Sequence, residues 1–350
     1  EAYSPFIENL TFGIIPQHIW KDAGAEDFSY SQVNTEPVGS GPYKVEKIIR
    51  TKAGIPETYI LTRNTDYHSG APKIENFELH FFPTEEKLAE AFKEKIVESA
   101  VGIDPLHLDE YDLGQKTHHL ERIPLPRTFA VFLNQNKSAA LRDKSARKAL
   151  DIAIDRDALV DTVLNGYGNI LTTPIPKGFG IDIHTATNTS EQGIDAARDI
   201  LREGGWKFNA EKQIWEKTID GTVTPLSFSI ATVNNSAFEA TATFLQNSWK
   251  QLGVEVTVKQ FEQSDLTQAV IRPRDYEALL FGTQLGRSLD YYSFWHSSQR
   301  NDPGLNISLY ANITTDSILA EMRRKVTSED RTEAINKFAD ELSKETPALL

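Results

Sequence analysis

The sequence predicts an α/β protein in which mixed sheets are flanked by helices. From residue 127 onward, short segments in which apolar and polar residues alternate are separated by segments in which apolar residues recur at helical spacing. This pattern is typical of strands joined by crossover helices. Before residue 124, three alternating runs follow one another at hairpin spacing, which indicates an antiparallel sheet. We therefore expect two parts, residues 1–124 and 125–350, divided at the stiff pair Pro124 and Pro126.

The first part begins with a loop-rich segment that prolines and glycines interrupt up to Pro42. Alternation then predicts strands over 43–49, 59–62 and 77–81. A helix should begin after Thr84, because Glu85 and Glu86 would lie in its first turn, where the helix dipole favours carboxylates.

The second part alternates strands and helices along its whole length. Asp155 is a plausible helix cap, and Gly166 and Gly253 each allow a left-handed stop. The predicted strands are 129–134, 226–230, 254–258 and 276–281, and the predicted helices are 146–153, 155–166, 194–205, 242–253, 318–326 and 329–344.

Composition and charge exclude several classes of protein. With 39% hydrophobic and 25% charged residues, the chain has the composition of a globular protein. Its 37 Lys and Arg against 50 Asp and Glu give a net charge of -13, which repels phosphate backbones, so we expect no nucleic-acid partner. The absence of cysteine excludes thiolate zinc sites and cysteine nucleophiles.

No apolar run approaches the roughly 20 residues that span a bilayer. The chain starts at Glu1 and its single methionine is Met322, so we interpret it as a processed chain or a piece of a longer one. Any targeting signal would then lie upstream.

Local signatures of catalysis are missing from the sequence. It contains no G-x-S-x-G, no H-E-x-x-H and no Walker-type glycine loop, and Gly39-Ser-Gly41-Pro42 indicates a turn rather than a phosphate site. His118 and His119 favour a surface pair over a metal site. We therefore predict no cofactor, no metal and no catalytic residue, although a hydrolase with buried carboxylates stays an alternative.

Several segments in order resemble a known family. They are 15–20 (IPQHIW), 37–43 (PVGSGPY), 132–136 (FLNQN), 146–150 (ARKAL), 153–157 (AIDRD) and the pair Gly205-Trp206. Together they resemble bacterial solute-binding protein family 5, the extracytoplasmic binders of peptides and nickel. The resemblance implies a type II periplasmic-binding-protein fold with two hinged lobes, and it implies that the chain starts after the amino-terminal strands of the family and ends before its return strand.

The same resemblance implies a receptor that delivers a peptide or other polar solute to the permease of an ABC importer. Such a protein would be monomeric and extracytoplasmic, in the periplasm or on the outer face of the membrane, and would touch the membrane only through a possible upstream lipid anchor. A peptide-sensing or chaperone-like protein of the same fold is the alternative.

Two segments combine the aromatic and amide groups that a polar solute requires. The first, 232–236, follows a predicted strand and precedes a helix, and the second is the loop 282–295. The predicted ligand-binding residues are Asn134, Thr232, Asn234, Asn235, Arg287, Asp290, Tyr291, Tyr292 and Trp295.

For several of these residues, a purely structural role is an alternative to contact with a ligand. Asn234 and Asn235 are types that favour helix caps and turns, and Tyr291 and Trp295 are types that favour a core. Arg287 and Asp290 are close enough in sequence to pair with each other.

The loop also departs from the pattern of the peptide-binding relatives. They carry an aspartate that holds the peptide ammonium group, where this chain has Gly286 or Arg287, and Thr283 stands where tryptophan is usual. A cation at that place would repel an ammonium group and favour an anion.

Overall fold

The computed structural model describes residues 6, 10, 13–24, 28, 31–104, 107–113, 118–121, 127–176, 193–285, 290–325 and 328–350. The chain forms two compact units: Thr11–Leu120, and Glu121–Leu350 together with Glu1–Leu10. The boundary predicted between residues 124 and 125 falls in 122–126, outside the described residues.

The first unit contains a three-stranded antiparallel sheet whose strands pair in the order of the chain, as hairpin spacing predicted. Thr84 caps the helix after it by accepting a hydrogen bond from the Lys87 amide at 3.3 Å, which confirms the predicted start. Its elements are α1 (Gln17–Trp20), a 3₁₀ turn (Gln32–Asn34), β1 (Tyr43–Arg50), β2 (Pro56–Arg63), β3 (Asn76–His80) and α2 (Glu85–Lys93).

The second unit alternates strands and helices, as predicted. Its elements are β4 (Arg127–Leu133), α3 (Ala139–Arg142), α4 (Lys144–Ile152), α5 (Arg156–Leu164), α6 (Ile194–Glu203), β5 (Lys207–Asn209), β6 (Ile214–Ile219), β7 (Thr222–Pro225), β8 (Ser227–Val233), α7 (Ser236–Leu252), β9 (Glu255–Phe261), α8 (Gln263–Asp265), a π-helical turn (Leu266–Ile271), β10 (Ala278–Gln284), α9 (Tyr292–Trp295), a 3₁₀ turn (Ser297–Gln299), α10 (Ile313–Met322), α11 (Ser328–Glu345) and β11 (Ala348–Leu349).

A five-stranded mixed sheet of order β11-β4-β10-β8-β9 forms the centre of this unit. Strand β8 is parallel to both β9 and β10, whereas β4 is antiparallel to both β10 and β11. The mixed sheet confirms the predicted fold class, and the parallel pair β8 and β9 joined by α7 confirms the predicted crossover unit.

Alternate side chains of β4 belong to two different cores. Val131 and Leu133 pack in a cluster with residues of α4, α6 and α7, and Ala130 and Phe132 pack in a cluster with residues of α10 and α11. Because successive side chains of a strand point to opposite faces, helices cover both faces of this sheet.

Several predicted boundaries were wrong; α7, for example, begins at Ser236 rather than at 242, because Asn235 caps it. Strand β10 runs over Ala278–Gln284 rather than 276–281, because Gly282 and its neighbours continue the pairing with β4. Helix α10 begins at Ile313 rather than near Ile318, because the Asn312 side chain accepts hydrogen bonds from the amides of the next turn. The meander β5-β6-β7 and the short strand β11 were not predicted.

Candidate functional site

The carboxyl ends of the parallel strands β8, β9 and β10 meet at one edge of the five-stranded sheet. Asn234 and Asn235 directly follow β8, and Asp290 and Tyr292 follow β10 after residues 286–289, which lie outside the described residues. In α/β folds this edge is where ligands commonly bind, because strands end there and helices begin. We call these four residues the strand-end cluster, a name that refers to their places in the sequence after β8 and β10.

Asn234 and Asn235 are both exposed, and each makes a local hydrogen bond. The Asn234 amide donates to Glu262 Oε1 at 3.0 Å, and its backbone N–H donates to the Phe261 carbonyl at 2.7 Å, which ties the end of β8 to the end of β9. Asn235 caps α7 by accepting from the Ala237 amide at 3.1 Å. Asn235 therefore acts as a helix cap, the structural role that its residue type favours.

Asp290 forms an ion pair with Arg323, the residue that directly follows α10, and both carboxylate oxygens of Asp290 take part. Arg323 Nε lies 3.1 Å from each carboxylate oxygen, and Arg323 Nη2 lies 2.6 Å from Oδ2. The Tyr292 backbone N–H also donates to Asp290 Oδ1 at 3.3 Å. The other partner considered for Asp290, Arg287, lies outside the described residues.

Two further predicted ligand residues are completely buried. Thr232 hydrogen-bonds the Leu280 carbonyl at 3.0 Å and so links β8 to β10. Asn134 donates to the Tyr276 carbonyl at 2.8 Å and accepts from the Asn136 amide at 3.0 Å. Because β4 is antiparallel to β10, Asn134 lies at the opposite edge of the sheet from the strand-end cluster.

Tyr291 and Trp295 pack in the core on the α10 and α11 side of the sheet, with 1% and 5% of their surfaces exposed. The Tyr291 ring lies 5.3 Å from the Phe338 ring. Its hydroxyl is buried and has no hydrogen-bond partner among the described residues, and burial raises the pKa of Tyr291. The core interpretation therefore accounts for the placement of both side chains.

We expect Tyr291→Phe to leave the free energy of unfolding unchanged or to raise it by up to about 1 kcal/mol, because it removes a buried hydroxyl for which the described part of the chain offers no partner. Urea unfolding measures this. The matched control is Tyr276→Phe, which removes a hydroxyl that donates to the Ile307 carbonyl at 2.5 Å and should cost about 1 kcal/mol. Equal losses in both variants would contradict the assignment of Tyr291.

Trp295 also lines a cavity of about 760 Å³ beside α5, α7 and residues 342–350. The wall includes Asp155, Arg156 and Phe244, but none of the strand-end cluster. The cavity and the strand-end cluster are therefore separate features of this unit.

No group of three or more His, Cys, Asp or Glu side chains among the described residues is arranged to hold a metal ion. Within the same residues, no helix has both the length and the apolar character needed to cross a bilayer.

Comparison with known proteins gives matches along most of the chain. The family model described as "Bacterial extracellular solute-binding proteins, family 5 Middle" matches residues 1–304. The oligopeptide-binding protein AppA of Bacillus subtilis is 28% identical over 338 residues, which are 94% of this chain and 60% of that protein. The nickel-binding protein NikA of Staphylococcus aureus is 21% identical over 91% of this chain and 60% of that protein. The chain thus spans about 60% of the length of these relatives.

Solved structures resemble the whole chain. AppA of Bacillus subtilis in complex with a nonapeptide gives a TM-score of 0.70 at 24% identity, covering 99% of this chain and 68% of that one. NikZ of Campylobacter jejuni in complex with Ni(L-His) gives 0.73 at 22% identity, covering 99% and 67%. The likeness shows a shared fold, that of the type II periplasmic binding proteins.

Proposed function

Because the chain belongs to the bacterial extracellular solute-binding proteins of family 5, we propose that it captures a small polar solute and delivers it to an ABC importer. The solute is a peptide or another polar molecule of similar size. The observation that carries the proposal is the family match over residues 1–304, and the polar and aromatic residues that follow β8 and β10 in the sequence support it.

The chemistry of the strand-end cluster supports noncovalent binding. Exposed amides such as Asn234 and Asn235 both donate and accept hydrogen bonds, so they can replace the water around a polar solute. The half-buried Tyr292 ring adds an apolar face for the body of the solute. We propose that these residues, Asp290 and Arg287 face the solute.

The buried members of the predicted set act indirectly in this proposal. Thr232 and Asn134 fix the relative positions of β8, β4 and β10 through hydrogen bonds to backbone carbonyls. Tyr291 and Trp295 hold α9 against the core. Such support keeps the contact residues in place, because the packing and hydrogen bonds around a binding site hold its side chains in position.

The partner and compartment follow from the proposed function. In this proposal the receptor binds the permease of the importer and works outside the cytoplasm as a monomer. It contacts the membrane only where the full-length protein carries a lipid anchor, and it releases the solute unchanged rather than catalysing a reaction. The hinged closure that the resemblance implies stays a prediction.

Thermal unfolding of the full-length protein against a panel of dipeptides, longer peptides, sugars and Ni(L-His) tests the function. Since a ligand that binds only the folded state stabilises it, a solute at 100 times its Kd should add about 2.7 kcal/mol and raise the Tm. In Asn234→Ala the affinity for that solute should fall about tenfold, because the variant loses one to two hydrogen bonds to the solute. The Tm without solute should hardly change.

Lys250→Ala is the control, because Lys250 is exposed near the other end of α7. It should leave affinity and Tm unchanged. Chemical conversion of a bound solute would instead identify a hydrolase, and a panel without any stabilising solute would refute the proposal.

A further inference from the structure

The carboxylate of Asp290 is already neutralised within the chain. Arg323 contacts both of its oxygens, as described above, and the two side chains are only 18% and 29% exposed. A paired guanidinium and carboxylate in this geometry is among the strongest hydrogen-bonded arrangements that side chains form, and partial shielding from water reduces its screening.

A second contact fixes the position of Arg323. Its Cζ lies 3.8 Å from the centroid of the Tyr292 ring, a cation–π distance. The Tyr292 ring in turn stacks on His296, with centroids 4.0 Å apart and planes 18° apart. The guanidinium is therefore held by a carboxylate and by an aromatic face at once, an arrangement that its planar shape permits.

The nearby carboxylate of α10 is engaged too. Asp316 Oδ1 accepts from the Ser297 backbone N–H at 2.8 Å, and Asp316 Oδ2 accepts from the Ser297 hydroxyl at 2.5 Å. The His296 Nε2 atom lies 3.9 Å from Asp316 Oδ1. Asp290 and Asp316 thus both have partners within the chain.

These contacts decide which solutes the strand-end cluster accepts. A solute ammonium group would have to displace Arg323 from Asp290, and a displaced guanidinium beside it would repel it. We propose that Arg323 is a specificity-determining residue, which neutralises Asp290 so that the site takes neutral or anionic polar solutes and rejects those that present a free ammonium group there. This inference rests on the proposed function, since it requires the solute to lie at this sheet edge.

Isothermal titration of the full-length protein tests the inference with two probes, the dipeptide Ala-Ala and its N-acetylated form, which differ in the ammonium group. In Arg323→Gln the Asp290 carboxylate loses its partner, so affinity for Ala-Ala relative to the acetylated probe should rise at least about tenfold over the wild type. The double variant Arg323→Gln with Asp290→Asn should lose that gain. Arg323→Lys retains the charge and should stay close to the wild-type ratio.

The titrations test the role of Arg323, and the solute panel tests the proposed function. Absence of a gain in Arg323→Gln overturns the inference, as does a wild type that prefers Ala-Ala. If Arg323→Lys and Arg323→Gln change the ratio of the affinities for Ala-Ala and the acetylated probe equally, the role of Arg323 is structural and the inference also fails. The proposed function is judged separately by the solute panel: a stabilising solute together with no gain in Arg323→Gln leaves the function standing and removes the specificity role.

Discussion

Arg147→Ala is expected to lower the free energy of unfolding by about 3–5 kcal/mol, one of the largest losses for a single substitution in this chain. Arg147 is 2% exposed, and burial lowers the pKa of its guanidinium while the Glu345 carboxylate, 3.9 Å away, opposes that shift. Its side chain donates to the backbone carbonyls of Leu141, Arg142, Glu345 and Thr346.

Removing the guanidinium leaves these carbonyls near the core without a donor, and an unsatisfied buried acceptor costs about 1–3 kcal/mol. Urea unfolding of the variants at neutral pH measures the loss. Arg142→Ala is the matched control: this neighbouring side chain is 55% exposed and pairs with the exposed Asp220, so its loss should stay below about 1 kcal/mol. Equal effects in the two variants would show that Arg147 does not connect α4 to the end of α11.

The stability of the second unit should fall as the pH drops from about 4 to 2, because Asp143 is deprotonated more readily in the folded chain than in the unfolded chain. Burial alone would raise the pKa of Asp143, but hydrogen bonds from Lys217, Ser145, the Ala146 amide and Trp206 lower it from 3.8 to about 2. Lys217 Nζ lies 2.5 Å from Asp143 Oδ2.

A depressed carboxyl pKa stabilises the folded state above the unfolded pKa and ceases to do so as protons bind. The shift corresponds to roughly 2 kcal/mol, which is present in full above about pH 5 and is mostly lost between about pH 4 and pH 2. Unfolding free energies of the wild type and Asp143→Asn, measured between pH 2 and 6, should therefore converge by about that amount as the pH falls.

Ser138→Ala provides a control that does not titrate, because Ser138 caps α3 through its hydroxyl, which accepts from the Leu141 amide at 3.3 Å. Its cost should be the same at every pH in this range. A cost of Asp143→Asn that did not vary with pH would contradict the charge-based account.

The sequence predicts an element well where the periodicity is strong and local. The alternation over β8 and β9 and the helical spacing of α7 come from buried side chains such as Ile230 and Trp249, whose spacing reflects the face that each element buries. The meander β5-β6-β7 was missed because its short strands carry charged residues such as Lys207 and Glu216 between few apolar ones. The strand β11 has only two residues, so only its pairing with β4 reveals it.

The types of residue in the strand-end cluster could be predicted from the sequence, but their partners could not. Asp290 and Arg323 are 33 positions apart, and nothing local in the sequence connects a loop after β10 with the residue that follows α10. Glu262 likewise lies 28 positions from Asn234 and meets it only because β8 and β9 pair in parallel. Whether a polar side chain is exposed or engaged depends on such long-range pairing, which a single sequence does not contain.

The pairing of β11 with β4 has a consequence for the order in which the second unit assembles during synthesis. Strand β4 covers Arg127–Leu133 and its partner β11 covers Ala348–Leu349, so β4 leaves the ribosome long before the segment that covers its outer edge. Until then the backbone N–H and C=O groups of that edge are open to pairing with another nascent chain. The segment that covers this edge is thus synthesised long after β4, and such late pairing over a long loop is typical of slow folding.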